Sequence, residues 1–221
     1  MQLENTTIAV LGGTGKEGPG LAMRWAIAGY KVLIGSRKAD KAEATAAELN
    51  EKLGIDTIEG FENGVASQKA DICVLTVLAT AHQPALQGLK DDLQGKILVD
   101  ATARVEFKDP QPPAAPAAAE IAQDILGEGA TVVAAFQNVP ASRLKKNLDK
   151  PVGTDVMVCS NNVEAAEKVI QLAEDGGMTA YYAGPLRNAN TVEGLTSLLI
   201  AMNKHYGSHS GSIMVNGISK E

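Results

Sequence analysis

Thr7-Ile8-Ala9-Val10-Leu11 runs without a break into Gly12-Gly13-Thr14-Gly15-Lys16-Glu17-Gly18. A short apolar run closed by glycines describes a strand buried on both faces. The glycines that follow are spaced G-x-G-x-x-G, and each has a task. Gly13 permits a tight turn. Gly15 leaves no Cβ where a pyrophosphate would approach, and Gly18 lets the next helix pack closely on the strand. Thr14, Lys16 and Glu17 fill the variable positions. An anion at such a turn meets the unpaired N–H groups of a helix N-terminus. A glycine-rich turn that serves packing alone uses the same letters. Context separates the two, and here a strand precedes and a helical pattern follows, which favours a dinucleotide.

Outward from the turn the alternation repeats. Residues 18–28 read as a helix stopped by Gly29, residues 31–34 as a second strand, and Ala39–Leu53 as an Ala- and Glu-rich helix with Gly54 past its last turn. Further strands are expected at 56–59, 72–77, 97–100, 131–136, 156–159 and 178–182, with a helix at 163–174. Apolar strands separated by helices indicate α/β class: a Rossmann-type, doubly wound, mainly parallel sheet. A last helix over 190–206 carries Leu195, Leu198, Leu199 and Met202 on one face and leads into a Gly/Ser-rich tail over 207–211. The expected organisation is a dinucleotide-binding domain over residues 1–186 and a small C-terminal helical extension over 187–221 that closes a second-substrate site. The Pro- and Ala-rich stretch 107–116 reads either as a flexible linker or as a stiffened loop at the carboxyl edge of the fifth strand.

The end of the second strand chooses the cofactor. An NAD site usually has Asp or Glu there to bond the ribose 2′-OH. This chain has Gly35-Ser36-Arg37-Lys38, with Lys41 one turn later. A hydroxyl donor, a guanidinium able to grip phosphate oxygens and a point charge suit a 2′-phosphate. A solvated basic patch is the alternative, but positive charge at a helix start opposes the helix dipole. The reading is NADP(H).

Composition narrows the rest. The 221 residues carry a net charge of -6, which supplies no basic footprint for nucleic acid or an anionic membrane. Three Phe, four Tyr and one Trp are too few for a base-stacking surface. No apolar run reaches membrane length. Cys73 and Cys159 lie in apolar runs without a CxxC partner and read as buried thiols of a reducing compartment, so the expectation is a soluble cytoplasmic protein. No metal-ligand spacing, Ser/His/Asp set or P-loop lysine is evident. His82, after the fourth strand, and His205 and His209 near the tail are isolated histidines, more often structural than catalytic. No catalytic acid or base is assigned. Its absence suits hydride exchange between two ring cofactors, which needs positioning rather than a proton donor.

Several segments together resemble a known family. Val10-Leu11-Gly12-Gly13-Thr14-Gly15, Ile34-Gly35-Ser36-Arg37 and Lys41-Ala42-Glu43-Ala44 are similar to the NADPH-dependent reductases of the deazaflavin coenzyme F420. So are Ala118-Ala119-Glu120, Ala135-Phe136-Gln137-Asn138-Val139-Pro140-Ala141, Ala183-Gly184-Pro185-Leu186, Val192-Glu193, Leu195-Thr196 and His209-Ser210-Gly211. The resemblance implies an oxidoreductase passing hydride between nicotinamide C4 and deazaflavin C5. It places Thr14, Gly15, Lys16 and Glu17 on the pyrophosphate, and Ser36, Arg37 and Lys41 on the 2′-phosphate. Val77, His82 and Ala141 would lie along the rest of NADP, and Asn138, Val139, His209, Ser210 and Gly211 near the deazaflavin. Two positions depart from the family: Leu78-Ala79 stands where relatives often have Pro-Trp, and Gln137 where a His commonly precedes the Asn. Gln137 can hydrogen-bond but cannot titrate near neutrality. Competing readings keep the NADP site but reduce a flavin, a small carbonyl or an imine, or use the bound nucleotide as a non-catalytic signal. A homodimer would cover the Leu/Met face of the last helix.

Overall fold

The computed structural model describes residue 3 and residues 5–219; the outermost residues of the two expected domains lie outside that range. Six parallel strands form one sheet: β1 (Thr7–Leu11), β2 (Lys31–Ser36), β3 (Ile58–Glu62), β4 (Ile72–Leu75), β5 (Ile97–Asp100) and β6 (Thr131–Ala134). Their spatial order is β3-β2-β1-β4-β5-β6. Chain order reverses between β1 and β4, and in such sheets ligands bind outside the carboxyl ends of the strands at that switch point. The crossovers are α1 (Gly18–Ile27), α2 (Ala39–Leu53), α3 (Asn63–Lys69), α4 (Ala79–Leu89) and α5 (Ala118–Leu126). A short helix, α6 (Ala141–Leu144), follows β6. Then β7 (Asp155–Val158), α7 (Val163–Asp175) and β8 (Thr179–Tyr182) form a separate two-stranded parallel unit, and α8 (Ala189–His205) leads into the tail. An antiparallel bridge between Ala134 and Cys159 joins this unit to the edge of β6.

Burial follows from the strand period. Along β1, Ile8 and Val10 enter one core with Trp25, Val32 and Ile34, while Ala9 and Leu11 enter a second with Leu33, Cys73 and Leu75. A strand apolar on every residue is thus covered on both sides. Gly54 takes a left-handed φ of 67° as it ends α2, a conformation cheap only without a Cβ. Gly29 does the same after α1, at φ 95°.

Two buried side chains fasten α1 to distant chain. Trp25 Nε1 donates to the Leu172 carbonyl at 2.9 Å, and its ring meets Phe136 edge-on at 5.8 Å. Among the described residues Arg24 has no carboxylate partner. Its guanidinium donates to the carbonyls of Leu144, Lys146, Lys150 and Gly176 at 3.0–3.3 Å. Burial lowers its pKa, and the ring of carbonyl dipoles is what lets a cation sit there. The connection after α6 is therefore tied to α1.

Several expected boundaries move, three of them for a visible reason or by two residues or more. The third strand begins at Ile58 because Asn50 of α2 bonds both its N–H and its carbonyl, at 3.1 and 2.8 Å. The fourth ends at Leu75. The sixth ends at Ala134, because the chain turns at Phe136 with φ 74°. A bulky residue rarely adopts that conformation; here the ring is fully buried against Trp25, which offsets the cost. Segment 107–116 is the pinned loop rather than the linker. Ser197 Oγ donates to the Gln111 carbonyl, Lys204 Nζ to that of Lys108 and Arg104 Nη2 to that of Ala114. Glu193, fully buried on α8, closes the clamp by accepting from Arg104 Nε at 2.9 Å and from the Arg104 and Ala118 N–H groups.

Candidate functional site

The glycine turn sits at the switch point. Gly13 N–H donates to the Val10 and Gly35 carbonyls, and Gly12 N–H to Asn63 Oδ1 at 3.1 Å, so β1, β2 and the start of α3 hold the turn together. A Cβ on Gly13 would lie 2.6 Å from the Val10 carbonyl oxygen, and one on Gly18 would lie 2.6–2.9 Å from the Gly13 backbone. Both glycines are needed by the fold itself. Gly15 differs: a Cβ there would meet nothing nearer than 3.5 Å. Thr14, Gly15 and Lys16 are exposed. The open space above Gly15, with the N-terminus of α1 behind it, fits a pyrophosphate. Val77, following β4, packs against Gly12 from the far side; a Cβ on Gly12 would come within 2.6 Å of its Cγ1.

Glu17 is the anomaly of this turn. It occupies the N-cap position of α1, yet its side chain makes no capping bond. Part of the residue reaches solvent, but Oε1 is sealed and unpartnered. Burial pushes its carboxyl up to about 8. The helix N-terminus favours the anion, but only by about 0.3–1 kcal/mol, whereas each pKa unit is worth about 1.4 kcal/mol, so desolvation wins.

At the end of β2, Ser36 is buried and its Oγ accepts from Lys38 N–H at 3.4 Å, which leaves the hydroxyl proton free to donate. Arg37 and Lys41 are exposed, and among the described residues neither side chain has an acidic partner. Asp40 is turned onto Lys41 N–H at 2.9 Å. A free hydroxyl donor and two unpaired cations thus share one corner. Three inter-strand spacings, about 14 Å, separate β2 from β5.

Across the switch point lies a polar cluster that sequence reading found only in part. His82 of α4 is buried, and its Nε2 lies 2.7 Å from Oδ2 of fully buried Asp100 at the end of β5. The histidine is therefore not isolated. Asp100 Oδ1 accepts from Thr102 N–H, and the Asp100 carbonyl accepts from Gln137 Nε2 at 3.0 Å. Asn138 Nδ2 donates to the Asp155 carbonyl at 2.8 Å. Each amide thus spends its donor on backbone and leaves its carbonyl oxygen buried and unpaired. Thr102 Oγ1 is unpaired as well. Buried orphans are rare in folded proteins. Those of Glu17, Thr102, Gln137 and Asn138 follow β1, β5 and β6 at their carboxyl ends. A ligand bearing N–H groups would satisfy the acceptors.

Val139 is buried beside them, and Ala141 opens α6. The tail comes to the same place. Ser142 Oγ donates to the His209 carbonyl at 3.0 Å and Arg143 Nε to that of Ser210 at 2.8 Å, while Gly211 N–H donates to Asn203 Oδ1 at 2.9 Å. Asn138, Val139, Ala141 and residues 209–211 are therefore neighbours, although the His209 ring itself is exposed. Asn63 and Asp100 went unread in the sequence. Their only signal is position at or just after a strand end, since their partners lie 51 and 18 residues away. Leu78 is 71% exposed at the rim.

Comparison with known proteins shows the family. Residues 7–104 match the family model described as NADP oxidoreductase, coenzyme F420-dependent. The chain is 36% identical to an F420-dependent NADP reductase of Methanothermobacter thermautotrophicus, over 97% of this chain and 96% of that protein. It is 37% identical to a protein of the same name from Methanocaldococcus jannaschii, over 96% and 98%. The crystal structure of a putative F420-dependent NADP reductase from Arthrobacter sp. FB24 superposes with a TM-score of 0.79 at 25% identity, covering 96% of this chain and all of that one. Family-level identity over essentially the whole length, on a fold with the glycine cradle at its switch point, places the chain in the family of coenzyme F420-dependent NADP oxidoreductases.

Proposed function

We propose that the protein exchanges hydride between NADP(H) and the deazaflavin coenzyme F420. The observation that carries the cofactor choice is the Ser36–Arg37–Lys41 corner, a free hydroxyl and two unpaired cations where an NAD site usually has a carboxylate. The second partner rests on near full-length similarity to F420-dependent NADP reductases. When bound, NADPH would supply hydride from nicotinamide C4 to deazaflavin C5, and the proton that completes the reduced deazaflavin would come from solvent.

The chain's own work is positioning. Gly13 to Gly18 hold the pyrophosphate on the N-terminus of α1, and Ser36, Arg37 and Lys41 hold the 2′-phosphate. Val77, His82 and Ala141 line the remainder of the dinucleotide, with His82 kept in place by Asp100. Asn138 and Val139, with His209, Ser210 and Gly211, flank the deazaflavin. The division at residue 187 follows: the preceding residues carry the dinucleotide, and α8 with its tail closes the second site. Ring-to-ring hydride transfer needs no titrating side chain, so this reading assigns no catalytic acid or base. The anionic balance of the chain argues against nucleic acid as a partner, and among the described residues no helix is long and apolar enough to cross a membrane.

The test is anaerobic mixing of the protein with NADPH and F420, then with FMN, following each chromophore. Loss of the F420 band in step with NADPH oxidation is expected. Turnover with FMN alone would make the protein a flavin reductase, and tight NADPH binding without turnover a sensor. We also assign a second copy of the chain to the stripe formed by Leu198 and Met202 of α8 and Tyr206 just past its end, which are 54–75% exposed. Sedimentation equilibrium should give a dimer, and a monomer at micromolar concentration would remove that assignment.

A further inference from the structure

We propose that Glu17 takes up a proton when the dinucleotide binds, so that NADP(H) is held with a neutral carboxyl beneath its pyrophosphate. The proposal rests on the cofactor reading above and goes beyond it. Glu17 Oε1 is sealed, hydrogen-bonded to nothing, and does not cap α1. Among the described residues no cation pairs with it.

The elements packed on α1 are β1, β2, α2, α6 and α7, and their charges are absent, committed or exposed at the surface. β1 has none, and Lys31 of β2 is paired with Glu59. Of the charged side chains in the first turn of α2, Asp40 bonds Lys41 N–H and Lys41 is exposed. Arg143 of α6 is spent on the carbonyls of Ser210, Val152 and Gly153. Along α7, Glu164 and Lys168 pair with each other, Asp175 is held by Tyr30 and Gln171, Glu174 has a partner of its own, and Glu167 is exposed. Farther along α1 itself, Arg24 is enclosed by carbonyls. Lys16 and Lys145 are exposed, the latter with its stem against Gly20.

A second anion brought to this turn therefore meets a carboxyl that the protein does not neutralise. Both would sit at the start of α1, where only the pyrophosphate would take the unpaired N–H groups. The pyrophosphate is obligately charged, whereas the carboxyl can protonate. As a neutral acid it stops repelling and can donate through its own O–H. Since burial already pushes the free protein's Glu17 up to about 8, a bound dianion pushes it higher, and ligand and proton bind together.

The sign follows from linkage: affinity is constant below the free-state value, falls by up to tenfold per pH unit between the free-state and the higher bound-state value, and levels off above the latter. Calorimetric titration of the wild-type protein with NADPH at pH 8.5, in two buffers of different ionisation enthalpy, should show uptake of most of one proton per site. The 2′-phosphate is already fully ionised there, its second pKa being about 6. Between pH 7 and 9.5 the Kd should rise about thirtyfold, and Glu17→Gln should abolish both the uptake and the slope. Binding with no proton uptake, proton release, or an unchanged slope in Glu17→Gln would overturn the proposal and leave the cofactor reading standing. If Glu17→Gln fails to fold, the wild-type calorimetry alone decides. No NADPH binding even at pH 6.5 would remove the cofactor reading and the proposal with it.

Discussion

Arg37→Glu should weaken NADPH binding by roughly thirty- to a hundredfold while leaving NADH within a few-fold. The guanidinium is exposed and has no acidic partner among the described residues, so its loss breaks nothing inside the fold. A charge-assisted hydrogen bond to phosphate is worth about 1.5–3 kcal/mol, and the substitution replaces it with repulsion. Solvent screening at this exposed corner keeps the effect from growing further. NADH brings no 2′-phosphate and should barely register the change. Fluorescence titrations with both nucleotides provide the ratio. Equal weakening of the two would show that the 2′-phosphate binds elsewhere.

Gly15→Val should cost more than about a hundredfold in affinity for NADPH and NADH alike, at almost no cost in stability. Gly15 does not adopt a left-handed φ, and a Cβ there has nothing nearer than 3.5 Å, so the free protein has room for a β-carbon at this exposed position. That side chain then fills the space assigned to the pyrophosphate, which both nucleotides share. Gly18→Ala provides the contrast. Its Cβ would collide with the Gly13 backbone at 2.6–2.9 Å, and backbone cannot move aside cheaply. That variant should lower the Tm first and affinity only as a consequence. Retained affinity in a folded Gly15→Val protein would take the turn out of the site.

The two glycines also show how far sequence alone reaches. Spacing and context identify the turn, but only the distances around each Cβ separate a glycine the fold requires from one the ligand requires. Continuous apolar runs place β1, β2 and β5 closely, and Gly54 marks the end of α2, because those signals are local. The sixth strand stops two residues short of expectation because Phe136 turns in a left-handed conformation held by Trp25, and nothing near Phe136 in the chain announces that contact. α3 and α4 were not individually placed. α3 is seven residues long, and Pro84 lies inside α4. The His82–Asp100 pair and the Arg104–Glu193 clamp join residues 18 and 89 apart, so their partners become visible only once the strands are ordered. The Ser36–Arg37–Lys41 corner was legible in advance because its three residues lie within one strand end and one helix turn.

Direct transfer between two rings is the centre of this account, and the fate of the transferred hydrogen tests it most directly. NADPH deuterated stereospecifically at C4, in each of the two configurations in turn, is mixed anaerobically with the protein and F420, and the reduced coenzyme is analysed by mass spectrometry and NMR. One of the two forms should deliver its deuterium to deazaflavin C5 without dilution by solvent hydrogen. Reduced F420 whose C5 hydrogen comes from water with both forms, or NADPH that is bound and never oxidised, would contradict it.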